Sequence, residues 1–461
     1  MPLSFFVLVS GVASTLVCLF LGWQHQTAYL VLLPITYTLV ALTLPLPIKL
    51  AKFRLGVGVF MAVAFVRYIV VPALICISDY ADIPLIREPS GDAMAIAVTI
   101  MVFELALSCL VIQILSPHLY LAAPASPSSD FRAPGKAGLI VLCVCAIFIV
   151  ALNPSVIDRY SFFSSTEIWT ASASRPALSG GVVIIVDMLL VIPPLLVLLA
   201  MHKRYGVNPR LRYVLFAIVT LLPFLMIIKG VSRFSMVVPA LAWTLMFIKL
   251  FPAYRKRALF TIGAVSFLSV ISVTAQKNFS NTEPAFEENN LPYLAWLGNA
   301  YFSGPFNMAY AVEVAPSVDH HGAEKVFLND MIGNLAIISS FADQANTSSD
   351  FFNRHIYGSS FQSDQIIPIT GQFSLYVGLF LSPVLLLFTI VLMLYFDSKM
   401  LKETRIEFSF VYALATIHLA LCMMLSFNSI YPVFFNFLMP LYLILLFNRS
   451  FVSPFIRRLR G

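Results

Sequence analysis

Three consecutive pieces decide the fold: Tyr213-Val-Leu-Phe-Ala-Ile-Val-Thr-Leu-Leu-Pro-Phe-Leu-Met-Ile-Ile228, then Lys229-Gly-Val-Ser-Arg233, then Phe234-Ser-Met-Val-Val-Pro-Ala-Leu-Ala-Trp-Thr-Leu-Met-Phe-Ile-Lys-Leu-Phe251. Each apolar run is long enough, or nearly so, to cross about 30 Å of hydrocarbon as a helix. A helix is the form in which such a segment satisfies its own backbone in lipid. Five residues suffice to turn one helix into the next. The whole chain has the same character: 461 residues, 59% hydrophobic, 11% charged, with 40 Phe. That balance excludes an ordinary soluble domain and indicates a polytopic membrane protein. The net charge of +7 is no sign of a nucleic-acid partner, because its distribution rather than its sum carries the information. All six cysteines lie in apolar runs, so neither a disulfide framework nor a thiolate metal site is implied. The first apolar run lacks a basic start and a cleavage site and reads as a retained span.

Working outward, twelve apolar segments are expected to span: 3–21, 28–46, 55–77, 93–115, 137–152, 181–201, 213–228, 234–251, 258–275, 373–396, 408–427 and 431–447. With both termini on the cytoplasmic side, 20 of the 29 Lys and Arg fall in cytoplasmic segments, eight fall outside and Arg67 lies in a span. Acids sort oppositely: 16 outside, four inside, and Glu104 and Asp187 within spans. This positive-inside bias sets the orientation. The organisation read from it is 1–275 with nine spans, 276–372 as one large external loop, 373–447 with three spans, and 448–461 as a basic cytoplasmic tail. The loop is too long for a connector and too apolar for a disordered linker. Phe327, Met331, Leu335 and Ile338 recur at helical spacing, which predicts short amphipathic helices on the outer membrane surface.

On that topology the turn 229–233 lies on the outer face, where cations are scarce. Lys229 and Arg233 bracket Gly230 at the start of a helix, an arrangement suited to phosphate oxygens. Ser232 can cap that helix or donate a hydrogen bond. Lipid-headgroup anchoring of both cations is the alternative. Arg87, Arg159, Arg175, Lys277, Lys325 and Arg354 are the other external cations. Arg159 and Arg354 stand beside the rings of Tyr160 and His355. His355, in Arg354-His-Ile-Tyr-Gly358, is the candidate for proton transfer, against an ordinary structural role. The run Asp319-His-His-Gly322 has no spaced partner with ligand periodicity, so no metal is expected. Arg67, Glu104 and Asp187 are costly in a span unless paired. Arg67 is expected to pair with one of the two acids, the sharper alternative being a substrate or proton path.

Three stretches resemble the Wzy-type polymerases of bacterial O-antigen repeat units: Gly230-Val-Ser-Arg-Phe-Ser-Met236, Ala300-Tyr-Phe-Ser-Gly-Pro-Phe-Asn-Met-Ala-Tyr310, and Pro368-Ile-Thr-Gly-Gln-Phe-Ser-Leu-Tyr-Val-Gly378. Their order and the twelve-span plan match across most of the chain. The resemblance implies an all-α, GT-C-like membrane glycosyltransferase in the bacterial inner membrane, with no metal and no cofactor. Its substrate would be an oligosaccharide on polyprenyl pyrophosphate, polymerised on the periplasmic face. A chain-length regulator is a further partner the resemblance allows. Arg233, with Arg354 and with Lys229 or Arg159, would neutralise the departing pyrophosphate, and a loop carboxylate or His355 would take the acceptor proton. Ser232, Arg175, Tyr301 and Arg67 complete the expected substrate-binding set. The rival readings are a flippase for the same lipid-linked glycan and an O-antigen ligase.

Overall fold

A computed structural model of the chain describes residues 3–22, 27–78, 88–120, 136–152, 154, 160–162, 180–229, 234–265, 268, 290–343, 346–358 and 365–452. These residues are overwhelmingly helical. Six helices are long and apolar enough to cross a membrane: Leu3–Leu21, Leu55–Ser78, Gly91–Tyr120, Ile184–Val207, Pro383–Lys402 and Phe427–Ser450. The pair Ala28–Thr43 and Pro45–Ala51 would make a seventh span, bent by 87° at its break. The bend follows from Pro45, which has no N–H to continue the preceding helix. The chain is a multi-pass membrane protein. Shorter apolar helices occupy Gly138–Leu152, Leu211–Phe224, Val237–Leu250 and Ile406–Ala420. Half of the expected span 258–275 lies outside the described residues, which show a helix over 255–265.

The chain forms two compact units. The first comprises Met1–Ala123, Pro284–Ser398 and Thr416–Pro432; the second comprises Pro124–Glu283, Lys399–Ala415 and Val433–Gly461.

In the first unit, α1 is Leu3–Leu21, α2 Leu32–Thr43, α3 Pro45–Ala51, α4 Leu55–Ser78 and α5 Gly91–Tyr120. A single π-helical turn, Val66–Val70, interrupts α4 and carries Arg67 into the interior. Such π-turns are often found at functional positions. Residues 290–377 supply further helices to this unit, packed on α4 and α5.

In the second unit, α6 is Lys136–Leu152, α7 Gly180–Leu189, α8 Ile192–Val207, α9 Leu211–Met226, α10 Phe234–Leu250 and α11 residues 255–265. The segment 213–228 was expected to be helical throughout. Instead its last residues form a strand, β2 (Ile227–Lys229), antiparallel to β1 (Tyr160–Phe162). Trp243 of α10 is buried with its ring centroid 4.3 Å from that of Phe410. Lys249 donates to Met400 O, Glu403 O and Ser409 Oγ, so it caps carbonyls freed at a helix end.

The loop helices of the first unit are α12 (Asn290–Tyr301), α13 (Pro305–His321), α14 (Ala323–Gly333), α15 (Ser348–Tyr357) and α16 (Ile369–Val377). Then follow α17 (Pro383–Lys402), α18 (Ile406–Ala420) and α19 (Phe427–Ser450). Two expectations are corrected here. The span placed at 373–396 begins only at Pro383, because Gly378 adopts φ of 80° and ends α16. The apolar periodicity followed to Ile338 leaves the α-helix at Gly333. Residues beyond it form turns and a short 3₁₀ piece, Ser339–Phe341.

Candidate functional site

The carboxylate of Glu313, on α13, is the meeting point of α13, α15 and the N-terminal end of α5. Its Oε1 accepts from the backbone N–H of Ser90, the residue before α5, at 2.6 Å. Its Oε2 lies 2.8 Å from His355 Nε2, on α15. The tautomer these contacts favour has Nε2–H donating to the carboxylate, which leaves the Nδ1 lone pair free to accept a proton. Burial pushes the Glu313 carboxyl up. The Ser90 N–H and His355 more than reverse this and hold it below its ordinary value. The His355 and Glu313 side chains are 20% and 11% exposed, so the pair is sheltered yet reachable. Chemically it is a base with an orienting carboxylate.

Beneath it, polar side chains fix the loop helices to the spans. Asp330 of α14 is fully buried. It accepts from the N–H of Ser348 at the start of α15, from Tyr376 of α16 and from Asn428 of α19. Burial raises its carboxyl above the ordinary value, and these donors only partly offset that. Gln372 links Ser348, Tyr376 and the N–H of Phe427. At the α12–α13 corner, Asn299 donates to Asn307 and accepts from the N–H of Phe306. Ser303 sits there with φ of 45°, a strained value for a non-glycine. It donates towards Ile366 O and Met424 O. Gly304 is required at this corner: a Cβ would stand 2.6 Å from Asn299 Oδ1.

Arg67 is fully buried and pairs with Glu104 at 2.5 Å, donating also to Met423 O in the unwound link between α18 and α19. That settles which of the two intramembrane acids it takes. The arrangement is that of an internal clamp, and Arg67 presents no exposed surface to a ligand.

The sequence-predicted residues therefore separate. His355 gains a carboxylate partner. Arg354, its neighbour, turns outward, half exposed, to pair with Asp350 one helical turn away. Tyr301 is half-buried at the end of α12. Lys229 is seen through its backbone, opposite Tyr160 in the β1–β2 register. This strand pair links the segment following Arg159 to the segment preceding Gly230. Arg159, Arg175, Ser232 and Arg233 themselves, with Arg87 and Lys277, lie outside the described residues. His321 of the Asp319–Gly322 run has its Nδ1 against Ser317 O and its ring against Phe351. Sequence reading missed Glu313, Ser90 and Asp330. Glu313 is one of 22 acidic residues and lies in no motif, and 42 residues separate it from His355, so only the tertiary fold pairs them. Searches of protein-family models, curated proteins and solved structures return no match for this chain.

Proposed function

We propose that the protein polymerises polyprenyl-pyrophosphate-linked oligosaccharide repeat units by glycosyl transfer on the periplasmic face of the bacterial inner membrane. In this reading twelve helices span, both termini are cytoplasmic, and the external helices form a cap of GT-C-like plan. The observation that carries it is the Glu313–His355 pair at the outer end of α5, set in a loop whose motifs resemble the Wzy-type polymerases. Two of those motifs have a clear physical role. Residues 300–310 form the Asn299-capped corner that starts α13, the helix bearing Glu313. Residues 368–378 form α16, where Gly371 lets the helix approach α13 so closely that a Cβ would lie 2.8 Å from the Ala311 Cβ.

The chemistry follows from the donor, which arrives activated. The acceptor hydroxyl oxygen bonds to the anomeric carbon and the bond from that carbon to pyrophosphate breaks. The hydroxyl proton passes to His355 Nδ1, and Glu313 stabilises the imidazolium that results. The pyrophosphate leaves with its electron pair and needs positive charge where its own charge develops. That role belongs to Arg233 with Lys229, Arg159 and Arg175, and Ser232 supplies a hydroxyl donor. Arg354, half exposed, adds a further positive charge for the phosphates, and Tyr301 contributes to binding the glycan.

A chromosomal deletion tests the reading through the surface polysaccharide. Lipid A-core bearing a single repeat unit and no ladder is expected. Loss of the single unit as well would favour the flippase or the O-antigen ligase; the His–Glu pair suits the ligase too, since it also deprotonates an acceptor hydroxyl. An unchanged ladder would rule out all three.

A further inference from the structure

A groove of about 610 Å³ runs down the outer half of α5. Ala95, Thr99, Phe103 and Leu107 line it at one side chain per turn, opposite Leu379 and Phe380 of the link between α16 and α17. The concavity exists because Gly378, at φ of 80°, ends α16 and the chain turns before α17 begins at Pro383. Both α5 and α17 are long and apolar enough to span, so the groove opens to hydrocarbon. Its one hydroxyl, that of Thr99, donates to Ala95 O within the helix. An occupant therefore meets a lining that is predominantly carbon. The lining from Ala95 to Leu107 extends about 18 Å at 1.5 Å per residue, more than half of the roughly 30 Å hydrocarbon thickness.

The same helix joins this groove to the candidate site. Ser90, whose N–H holds Glu313, precedes Ala95 by five residues, about 7 Å along the helix. A chain seated in the groove thus ends within about one and a half helical turns, along α5, of the residue that holds Glu313. Of the two lipid-linked substrates, the donor is the one whose reacting carbon adjoins its pyrophosphate, and hence its lipid tail. The acceptor's reacting hydroxyl is separated from its own lipid by a whole repeat unit. Resting on the polymerase reading above, we infer that this groove seats the isoprenoid chain of the donor, so that α5 delivers the scissile bond to His355.

The test uses the purified full-length protein in nanodiscs, with a diazirine-bearing polyprenyl phosphate and, in parallel, a diazirine-bearing phosphatidylethanolamine. Crosslinked residues are mapped by mass spectrometry. Expected is polyprenyl labelling on 95–107 and 379–383, displaced by unlabelled polyprenyl pyrophosphate and not by added phospholipid. Thr99→Trp fills the groove at an exposed position and should lower that labelling about tenfold, the effect of some 1.4 kcal/mol. Val9→Trp, on the exposed face of α1, should leave it unchanged. Equal labelling by both probes without competition would mean ordinary bilayer lipid and overturn the inference. Specific polyprenyl labelling elsewhere on the chain would also overturn it, while leaving the polymerase reading intact. Specific groove labelling together with a normal ladder in the deletion strain would do the reverse: the site stands and the polymerase reading falls.

Discussion

At the scale of single residues, the pairing of His355 with Glu313 makes distinct demands on each. His355→Ala removes the base and should lower polymer formation by on the order of 10²–10⁴-fold, read as loss of the ladder at normal protein level. Glu313→Gln keeps the shape but cannot stabilise an imidazolium, so it should lower activity and displace the acidic limb of the pH–rate profile. A merely structural Glu313 would leave that profile in place. Glu313 also links stability to pH. Its folded-state value lies below the ordinary 4.5, so its contribution is present above that value and is lost as pH falls through the lowered one. The melting-temperature gap between wild type and Glu313→Gln should therefore be widest near neutrality and close below pH 4.5. Asp330, raised above 3.8, works in the opposite direction over the same acidic range. Arg67 predicts a third result. Arg67→Met leaves Glu104 buried without its partner and should cost about 3–5 kcal/mol, whereas Arg67→Met with Glu104→Leu should recover most of that; thermal unfolding in detergent reads both. At this scale the sequence exposed the titratable candidates, since His355 beside Arg354 and three charges within apolar runs stand out against an apolar background. It narrowed the partner of Arg67 to two acids but could not expose that of His355, because Glu313 and His355 meet only through the packing of α13 against α15.

At the scale of elements, most helices were legible because a span must be a long apolar run. Where the sequence misled, backbone chemistry had intervened. The run from 373 to 396 is apolar throughout, yet Gly378 in a left-handed conformation splits it into α16 and α17. Periodicity alone does not register that stop. The run 213–228 ends as a strand at Ile227 because Tyr160–Phe162 offers it a partner, a long-range effect with no local signature. Close approach between α16 and α13 also makes a prediction. Gly371→Ala would bring a Cβ to 2.8 Å from Ala311 and 3.2 Å from Met308 Sδ. Overpacking of this kind should cost about 1–3 kcal/mol, seen as a lower melting temperature. Because α13 carries Glu313, the variant should also weaken the ladder.

At the scale of the whole molecule, composition and the sorting of charge made a multi-pass membrane protein legible at once, and six helices of the required length and apolarity bear this out. The long segment between the apolar runs stood out by its length and apolarity. That its described residues form helices tied to the rest of their unit through Asp330, Gln372 and Ser303 required tertiary information. Each of those polar residues is ordinary in sequence and acquires its meaning from burial. The central claim is that this protein extends a lipid-linked glycan from an acceptor hydroxyl deprotonated by His355. The most direct measurement is the surface polysaccharide of the deletion strain complemented with wild type, with His355→Ala, or with empty vector. Each lane is matched for membrane protein level and resolved by electrophoresis. A full ladder with wild type, and a single-repeat band alone with the other two, is the predicted result. A full ladder with His355→Ala, or with empty vector, would contradict it.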